Sequence, residues 1–458
     1  MNKLKILVVC LALAQANLSY AEDLLTIYQQ ALEADPQLKT AGLKVEIGSA
    51  QKGQALGEML PQINASTNWS ANKQTLTPPA NPTSPATTNF QGSRYVVSLS
   101  QTLIDFAKFW NWRRAREIEN QYTSENIEAQ HALMFNVVEK YFNVLEAEDQ
   151  LYFLQAEKDS TVKQLEQVKK LYDKQLVLIT DLYEVEARLD QIKASEIEAE
   201  TILVTARESL KELTNTTPVG LYKLREEIDY KELEGALDDW IAVAKSENPV
   251  LAAQLSAIAA ASDDVAVQKS KYLPVVDLQL NYYNTNTGYQ SINLGRTTDN
   301  QVAAINVTIP IFSGGTTTNR MYEAQHKLSI SKYENEAKIR ALIKETSDSF
   351  LSANASVRRI SATRNALKSA IKSREAMESG FDYGVQTMSD VLNAQQGEFK
   401  AKRDLSQAKY SYIKNKMRFF RAIGLISEEN MVEVNNWLQA KPNQLEKIPG
   451  KEITGNAG

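Results

Sequence analysis

The sequence predicts an α+β chain in which long helical hairpins continue from pairs of alternating strands, and three observations carry the prediction. The run from Ser93 to Thr217 contains neither glycine nor proline. The chain is written twice, at a nearly constant offset. Four stretches alternate apolar and polar side chains over about 9 to 11 residues, the length of a tilted membrane strand.

The long run reads as helix former upon helix former, and Phe135, Val138, Phe142 and Leu145 lay an apolar stripe along one face. A single helix from Phe106 to Thr217 would be roughly 170 Å long. No ordinary domain holds such a helix, so the run is one very long helix or a hairpin of two.

The repeat rests on four landmarks kept in order. Asp35-Pro36-Gln37-Leu38 recurs as Asn248-Pro249-Val250-Leu251, and Leu60-Pro61-Gln62-Ile63 recurs at the same offset as Leu273-Pro274-Val275-Val276. Thr102-Leu103-Ile104-Asp105 matches Pro310-Ile311-Phe312-Ser313, and Thr180-Asp181-Leu182 matches Ser389-Asp390-Val391, both at slightly shorter offsets. Two tandem copies are expected, residues 22–217 and 233–424, with a linker at 218–232 and a closing segment and flexible tail at 425–458.

Residues 1–21 read as a secretory signal: Lys3 and Lys5, an apolar core from Ile6 to Ala14, and small residues Ser19 and Ala21 at the cut. Cys10, the only cysteine, lies inside it, so the mature chain suits an oxidising compartment. Losing the two lysines leaves 49 basic against 56 acidic residues, a net charge of -7. Nucleic acid is disfavoured as a partner, and a cationic cargo mildly favoured. No later stretch approaches 18 consecutive apolar residues, so a mature chain that enters a membrane enters it by strands.

Each copy opens with an amphipathic helix, Glu22 to about Glu58 and Leu233 to about Lys271, interrupted near Pro36 and Pro249 and stopped by the proline after Leu60 or Leu273. A strand pair follows, within 63–103 and 274–311. Tyr95, Val97, Leu99 and Leu103 share one face, as do Val276, Leu278, Leu280 and Tyr282, and the set Ala303, Ile305, Val307, Ile309 and Ile311. Polar joins at Gln74–Gly92 and Asn284–Asn300 connect the strands. Such alternation also suits a soluble sheet with one wet face. Helical hairpins then span 106–213 and 316–421, and Leu182, Val185, Leu189 and Ile192 keep coiled-coil spacing. Four strands cannot close a membrane barrel, and an open edge in lipid leaves backbone groups unpaired, so a spanning chain must oligomerise.

Chemistry is sparse. His131 and His326 stand in separate helices, which leaves no histidine cluster for metal, and no mature cysteine offers a nucleophile. Gly314-Gly315 lacks the Gly-Lys-Ser/Thr of a phosphate loop and reads as a turn. The sequence predicts no enzyme, no cofactor and no metal centre.

The signal, the two repeats, the strand pairs and the hairpin turns Leu178-Ile179-Thr180-Asp181 and Thr387-Met388-Ser389-Asp390-Val391-Leu392 resemble the TolC family of outer-membrane efflux proteins. Tyr28-Gln29-Gln30-Ala31, Tyr141-Phe142-Asn143-Val144-Leu145 and Ile311-Phe312-Ser313-Gly314-Gly315 add to the resemblance, which runs from about Asp23 to Gly424. It implies a homotrimer in the cell outer membrane: a 12-stranded β-barrel, four strands per chain, set among outer-membrane lipids and continuing into a long periplasmic α-helical barrel. It also implies partners, namely a periplasmic adaptor (membrane fusion protein) and an inner-membrane efflux pump or ABC transporter, for which the channel is the exit duct. The residues also fit a soluble periplasmic coiled-coil scaffold or adaptor.

By the resemblance, the gate lies at the hairpin tips. Thr180 and Asp181 help lock the closed state, and Asp390 forms a ring of carboxylates at the constriction. Phe381 and Gln386 stand where the family carries a tyrosine and an arginine, and Asn393 where it carries a second aspartate, so the charge-assisted lock is missing. Gly380 and Gly384 serve as the tip hinge, whereas the first turn has Gln175 in place of glycine. Thr180, Asp181, Ser389 and Asp390 also stand where helices begin, and Asp181 with Glu184 has the spacing of a capping box. Leu176, Val177 and Val385 are the expected adaptor contacts or, equally, packing within the turns. Phe106, Phe109, Trp110 and Trp112 are the expected aromatics of the periplasmic membrane surface.

Overall fold

The computed structural model describes residues 22–75, 77, 87–218, 220–286, 288 and 296–439. The expected signal at 1–21, the tail from Pro442 and most of the two strand-joining loops lie outside them. In chain order come α1 (Leu24–Ala34), α2 (Pro36–Gly57), β1 (Gln62–Thr75), β2 (Thr87–Ile104), α3 (Phe106–Asp173) and α4 (Ile179–Thr214). Next are β3 (Lys223–Leu224), α5 (Leu237–Glu247), α6 (Pro249–Ser270), β4 (Val275–Asn286), β5 (Thr297–Thr308), α7 (Thr316–Asp382), α8 (Met388–Ala422), α9 (Glu428–Asn436) and β6 (Leu438–Gln439). The two units are Thr40–Ile127 with Pro249–Ile339, and the described residues up to Lys39 with Glu128–Asn248 and those from Arg340.

The first unit is built on a four-stranded antiparallel sheet of order β1-β2-β4-β5. Its register aligns Ile63 with Leu99, Val97 with Tyr282, and Leu280 with Ala303. Ile63, Val97, Leu280, Ile305 and Val307 therefore fall on one face, and all are exposed. Asn64, Ser98, Asn281 and Asn306 take the other, so the sheet is apolar on one side and polar on the other. β1 and β5 each pair on one side only.

Two strand limits differ from the alternation. β5 stops at Thr308, short of Ile309 and Ile311, because Pro310 has no N–H to give a ladder. β1 and β2 run on to pair Thr75 with Thr87, since backbone pairing continues through polar residues that carry no hydropathy signal. Beside the sheet, Arg113 and Arg114 of α3 pair with Asp263 and Asp264 of α6. By length and composition α6 is apolar enough to cross a membrane, yet Leu251, Ala253, Val265 and Val267 are buried within the fold.

In the helical unit α1 buries Leu24 and Ile27 against Tyr141, Phe142 and Leu145 of α3, Leu210 of α4, and Ile413 and Met417 of α8. The Tyr141 hydroxyl donates to the carbonyls of Glu22 (3.2 Å) and Tyr222 (3.0 Å). A ladder of polar pairs joins α3 to antiparallel α8: Glu128 with Arg421, Glu139 with Arg418, Glu146 with Lys414, and Glu157 with Arg403. β3 pairs with β6, which brings together the two segments outside the repeats.

Candidate functional site

The tips of both hairpins share one small core. Val168 of α3 and Val185 of α4 bury against Met388, Val391 and Leu392 of α8. Phe381 and Val177 pack onto the same cluster. Phe381 thus spends its ring on tip packing, and having no hydroxyl it donates nothing across the turn. Leu176 and Val385 stay 68% and 74% exposed, so of the three expected adaptor contacts only Val177 is turned inward.

The turns themselves are closed differently. α7 ends through Gly384 at φ +73°, with the Gly384 amide donating to Phe381 (2.9 Å) and the Val385 amide to Gly380 (2.9 Å). Gly380 has no room for a side chain, since a Cβ would lie 2.6 Å from Cγ of Gln386. Gln386 is held there by its backbone amide, which donates to the Gly380 carbonyl at 3.2 Å. At the first tip Gln175 adopts φ +62°, a left-handed conformation that costs a side-chain-bearing residue about 1 kcal/mol. Its amide donates to the Tyr172 carbonyl at 2.7 Å, so the loop geometry is kept without the glycine.

Asp390 is the third residue of α8 and caps it. Its carboxylate accepts from the Thr387 amide (3.0 Å) and hydroxyl (2.6 Å), and these bonds hold its pKa below the usual range. Asp181 plays the same part in α4, accepting from the Leu178 amide at 3.0 Å. The capping register is therefore Leu178 with Asp181, one turn earlier than the Asp181–Glu184 spacing suggests. The reason is that α4 begins at Ile179, which leaves Asp181 inside the first turn. Thr180 lies exposed beside it. Asn393 is exposed and lines a groove of about 400 Å³ with Glu184, Ala187, Arg188, Gln191 and Leu392.

Just above the tips charge is strongly paired. Arg374 of α7 bonds Glu398 of α8 and Glu378, and Lys402 closes on the buried Glu398 at 2.6 Å. Arg374–Glu378 and Glu398–Lys402 have the i,i+4 spacing of pairs on one helix, whereas Arg374–Glu398 joins two helices and no local motif marks it. Among the described residues no group of His, Cys, Asp and Glu could hold a metal ion.

The aromatic residues after β2 form a separate cluster in the sheet-bearing unit. Phe109 meets Trp110 edge-on at 5.7 Å and Trp112 at 6.2 Å, and the Arg113 guanidinium lies 4.7 Å from the Trp110 ring centre. Phe106 and Phe109 are exposed, and Trp110 and Trp112 are half-buried.

Comparison with known proteins agrees with this architecture. The outer membrane efflux protein family model matches residues 27–216 and 240–425. Outer membrane protein TolC of Vibrio cholerae is 30% identical over 427 residues, covering 92% of this chain and 94% of that protein. The alkaline protease secretion protein AprF of Pseudomonas aeruginosa is 27% identical, covering 90% and 86%. Among solved structures, the Campylobacter jejuni CmeC outer membrane channel superposes with a TM-score of 0.78 at 18% identity, over 91% of this chain and 90% of that one. The family model matches most of the chain in two stretches, and the chain belongs to the outer membrane efflux protein family.

Proposed function

We propose that three copies of this chain form the outer-membrane exit duct of a tripartite efflux or type I secretion system. A periplasmic adaptor and an inner-membrane pump or ABC transporter would deliver cargo, and the helix tips would gate its entry. The observation that carries the reading is the sheet: one apolar face is bare, and β1 and β5 keep one unpaired edge each. In lipid those edges need partners, and β5 of one copy against β1 of the next closes twelve strands. The family is one of channels rather than enzymes.

Cargo is left to the inner-membrane partner. One relative is named for protease secretion and another, CusC of Escherichia coli, for cation efflux. Membrane fractionation tests the duct: heat-sensitive, detergent-resistant trimers in the outer membrane are expected. Release of the protein with the soluble periplasm would favour a scaffold instead.

The gate reading rests on Asp390 converging in three copies, with Asn393 contributing no second ring of charge. With Phe381 and Gln386 in place of tyrosine and arginine, the closed state is held by tip packing and capping. Single-channel recordings are expected to show weak block by trivalent cations, strengthened by Asn393→Asp. Block that is already strong, and unchanged in that variant, would sink the gate assignment.

A further inference from the structure

Few charges lie on the four-stranded sheet, and the register sets the side that each one takes. Among the described residues of its strands the charged side chains are Lys73, Arg94, Asp277 and Asp299. Lys73 and Asp299 fall on the apolar face, where Asp299 accepts from the Tyr282 hydroxyl (2.9 Å) and the Asn284 side-chain amide (2.6 Å). Arg94 and Asp277 fall on the polar face, so Arg94 is the one cation that the described strand residues place there. Asp277 stands opposite Thr102, about 27 Å along β2 from Arg94, too far to neutralise it.

The position of Arg94 is well defined. Its guanidinium lies 4.9 Å from the ring centre of Tyr283, on the same face of the neighbouring strand. On the reverse face the next residue, Tyr95, meets Trp69 edge-on at 6.1 Å, and Trp69 Nε1 donates to the Tyr95 hydroxyl at 3.3 Å. Both rings are exposed, as a pair at a membrane–water interface is. That interface is the one remote from α3, because β2 enters α3 at its other end. Close by, the chain after β4 crosses β2 on the polar face: the Gly288 carbonyl accepts from the Asn72 side chain at 2.7 Å. Gly288 passes so near that a Cβ would lie 2.2 Å from the Gln91 carbonyl oxygen.

We propose that three Arg94 side chains, one per copy, form a cationic ring inside the outer mouth of the duct, and that this ring binds multivalent anions such as polyphosphorylated solutes. The inference rests on the trimeric reading above and adds to it a site opposite in sign to the Asp390 carboxylates. Twelve strands about 4.8 Å apart and tilted about 40° enclose a lumen roughly 24 Å across between backbones. A solute on the axis is then about 12 Å from the wall, close to the Debye length of about 10 Å at 0.1 M salt. One charge gains little at that range, whereas several on one solute gain together, which selects a multivalent ligand.

The test is calorimetric titration of the purified, detergent-solubilised trimer with inositol hexakisphosphate at about 0.1 M salt. The tightest site is expected to hold one probe per three chains. Arg94→Gln should weaken it about tenfold or more, and Arg94→Met gives a second neutral variant should the first not assemble. Arg94→Lys keeps the charge and should keep most of the affinity. Lys73→Gln, at the same end of the sheet but on the other face, should leave it unchanged. Raising the salt to about 1 M, where the Debye length is about 3 Å, should abolish it.

Unchanged binding in the neutral variants would overturn the ring, as would a loss in Arg94→Lys as large as in Arg94→Gln. Three probes per trimer, or an equal loss in Lys73→Gln, would place the anion on the lipid-facing side and overturn it too. Amine crosslinking runs in parallel. Trimers that bind no probe would overturn the ring and leave the trimeric reading standing, whereas monomers alone would overturn both.

Discussion

Thr387 and Asp390 cap each other at the second hairpin tip: the Asp390 amide donates to the Thr387 hydroxyl oxygen at 3.2 Å, while the Asp390 carboxylate accepts from the Thr387 amide and hydroxyl. The first tip has Leu178 in the corresponding place, which gives its amide to Asp181 and returns only a backbone carbonyl, at 3.2 Å. The two caps thus differ by what a single hydroxyl supplies.

Thr387→Ala is expected to loosen the start of α8 by about 1 kcal/mol, and Leu178→Thr to tighten α4 by a similar amount. Hydrogen exchange at the first-turn amides checks both. The ionised Asp390 is the form that accepts these bonds, and its pKa lies below the ordinary 3.8. Its contribution is therefore full above that value and lost as pH falls through the lower folded value. Protection of the tip amides, relative to their intrinsic exchange rate, should stay flat between pH 5 and 8, and Asp390→Asn should remove the acid dependence.

Gln175→Gly should stabilise the first turn by about 0.5–1 kcal/mol, since glycine takes φ +62° without strain. Gly384→Ala should destabilise the second turn by about 1 kcal/mol or more. Urea unfolding of the two variants would show shifts of opposite sign. Equal signs would mean that the turns are not set by backbone strain.

Glu157 is 4% exposed and faces Arg403 at 2.9 Å. Arg403→Ala strands a buried carboxylate and should cost about 3 kcal/mol, with Glu157→Gln in the same chain recovering much of the loss. A double-mutant cycle read by chemical denaturation measures the coupling.

His131 is held below its usual pKa first by burial, with Arg421 adding to the shift and Glu128 opposing it. The fold prefers the neutral imidazole, so the unfolded chain binds more protons as pH drops below 6.5. Thermal stability should fall on acidification from that point, and His131→Leu should flatten the dependence. An unchanged slope in the variant would place the titration elsewhere.

The hairpins and strands were legible because each element repeats a local period: 3–4 spacing around Phe135 to Leu145, alternation from Val276 to Tyr282. The duplication fixed their order. Asp390 and Asp181 were legible as helix-start residues, but the cap register was not, because it depends on where the turn ends rather than on residue type. The ladder from Glu128–Arg421 to Glu157–Arg403 joins residues from opposite halves of the chain, and no local pattern encodes such pairs. Phe381 reads as a lost donor in the sequence and as a packing residue in the structure. Only the shared tip core shows the second role.

The Leu24 amide donates to the Asn435 side chain at 3.0 Å, joining the two ends of the described chain, and Glu22 bridges in parallel to Leu221. Contacts that distant in sequence are slow to form, since long loops must close before they are rewarded. The segment emerging first can pack on α3 and α4 early, yet its bond to Asn435 must wait for the last described residues. Folding of this unit is therefore complete only once Asn435 has arrived, well after α3 and α4 have given α1 a surface to pack against.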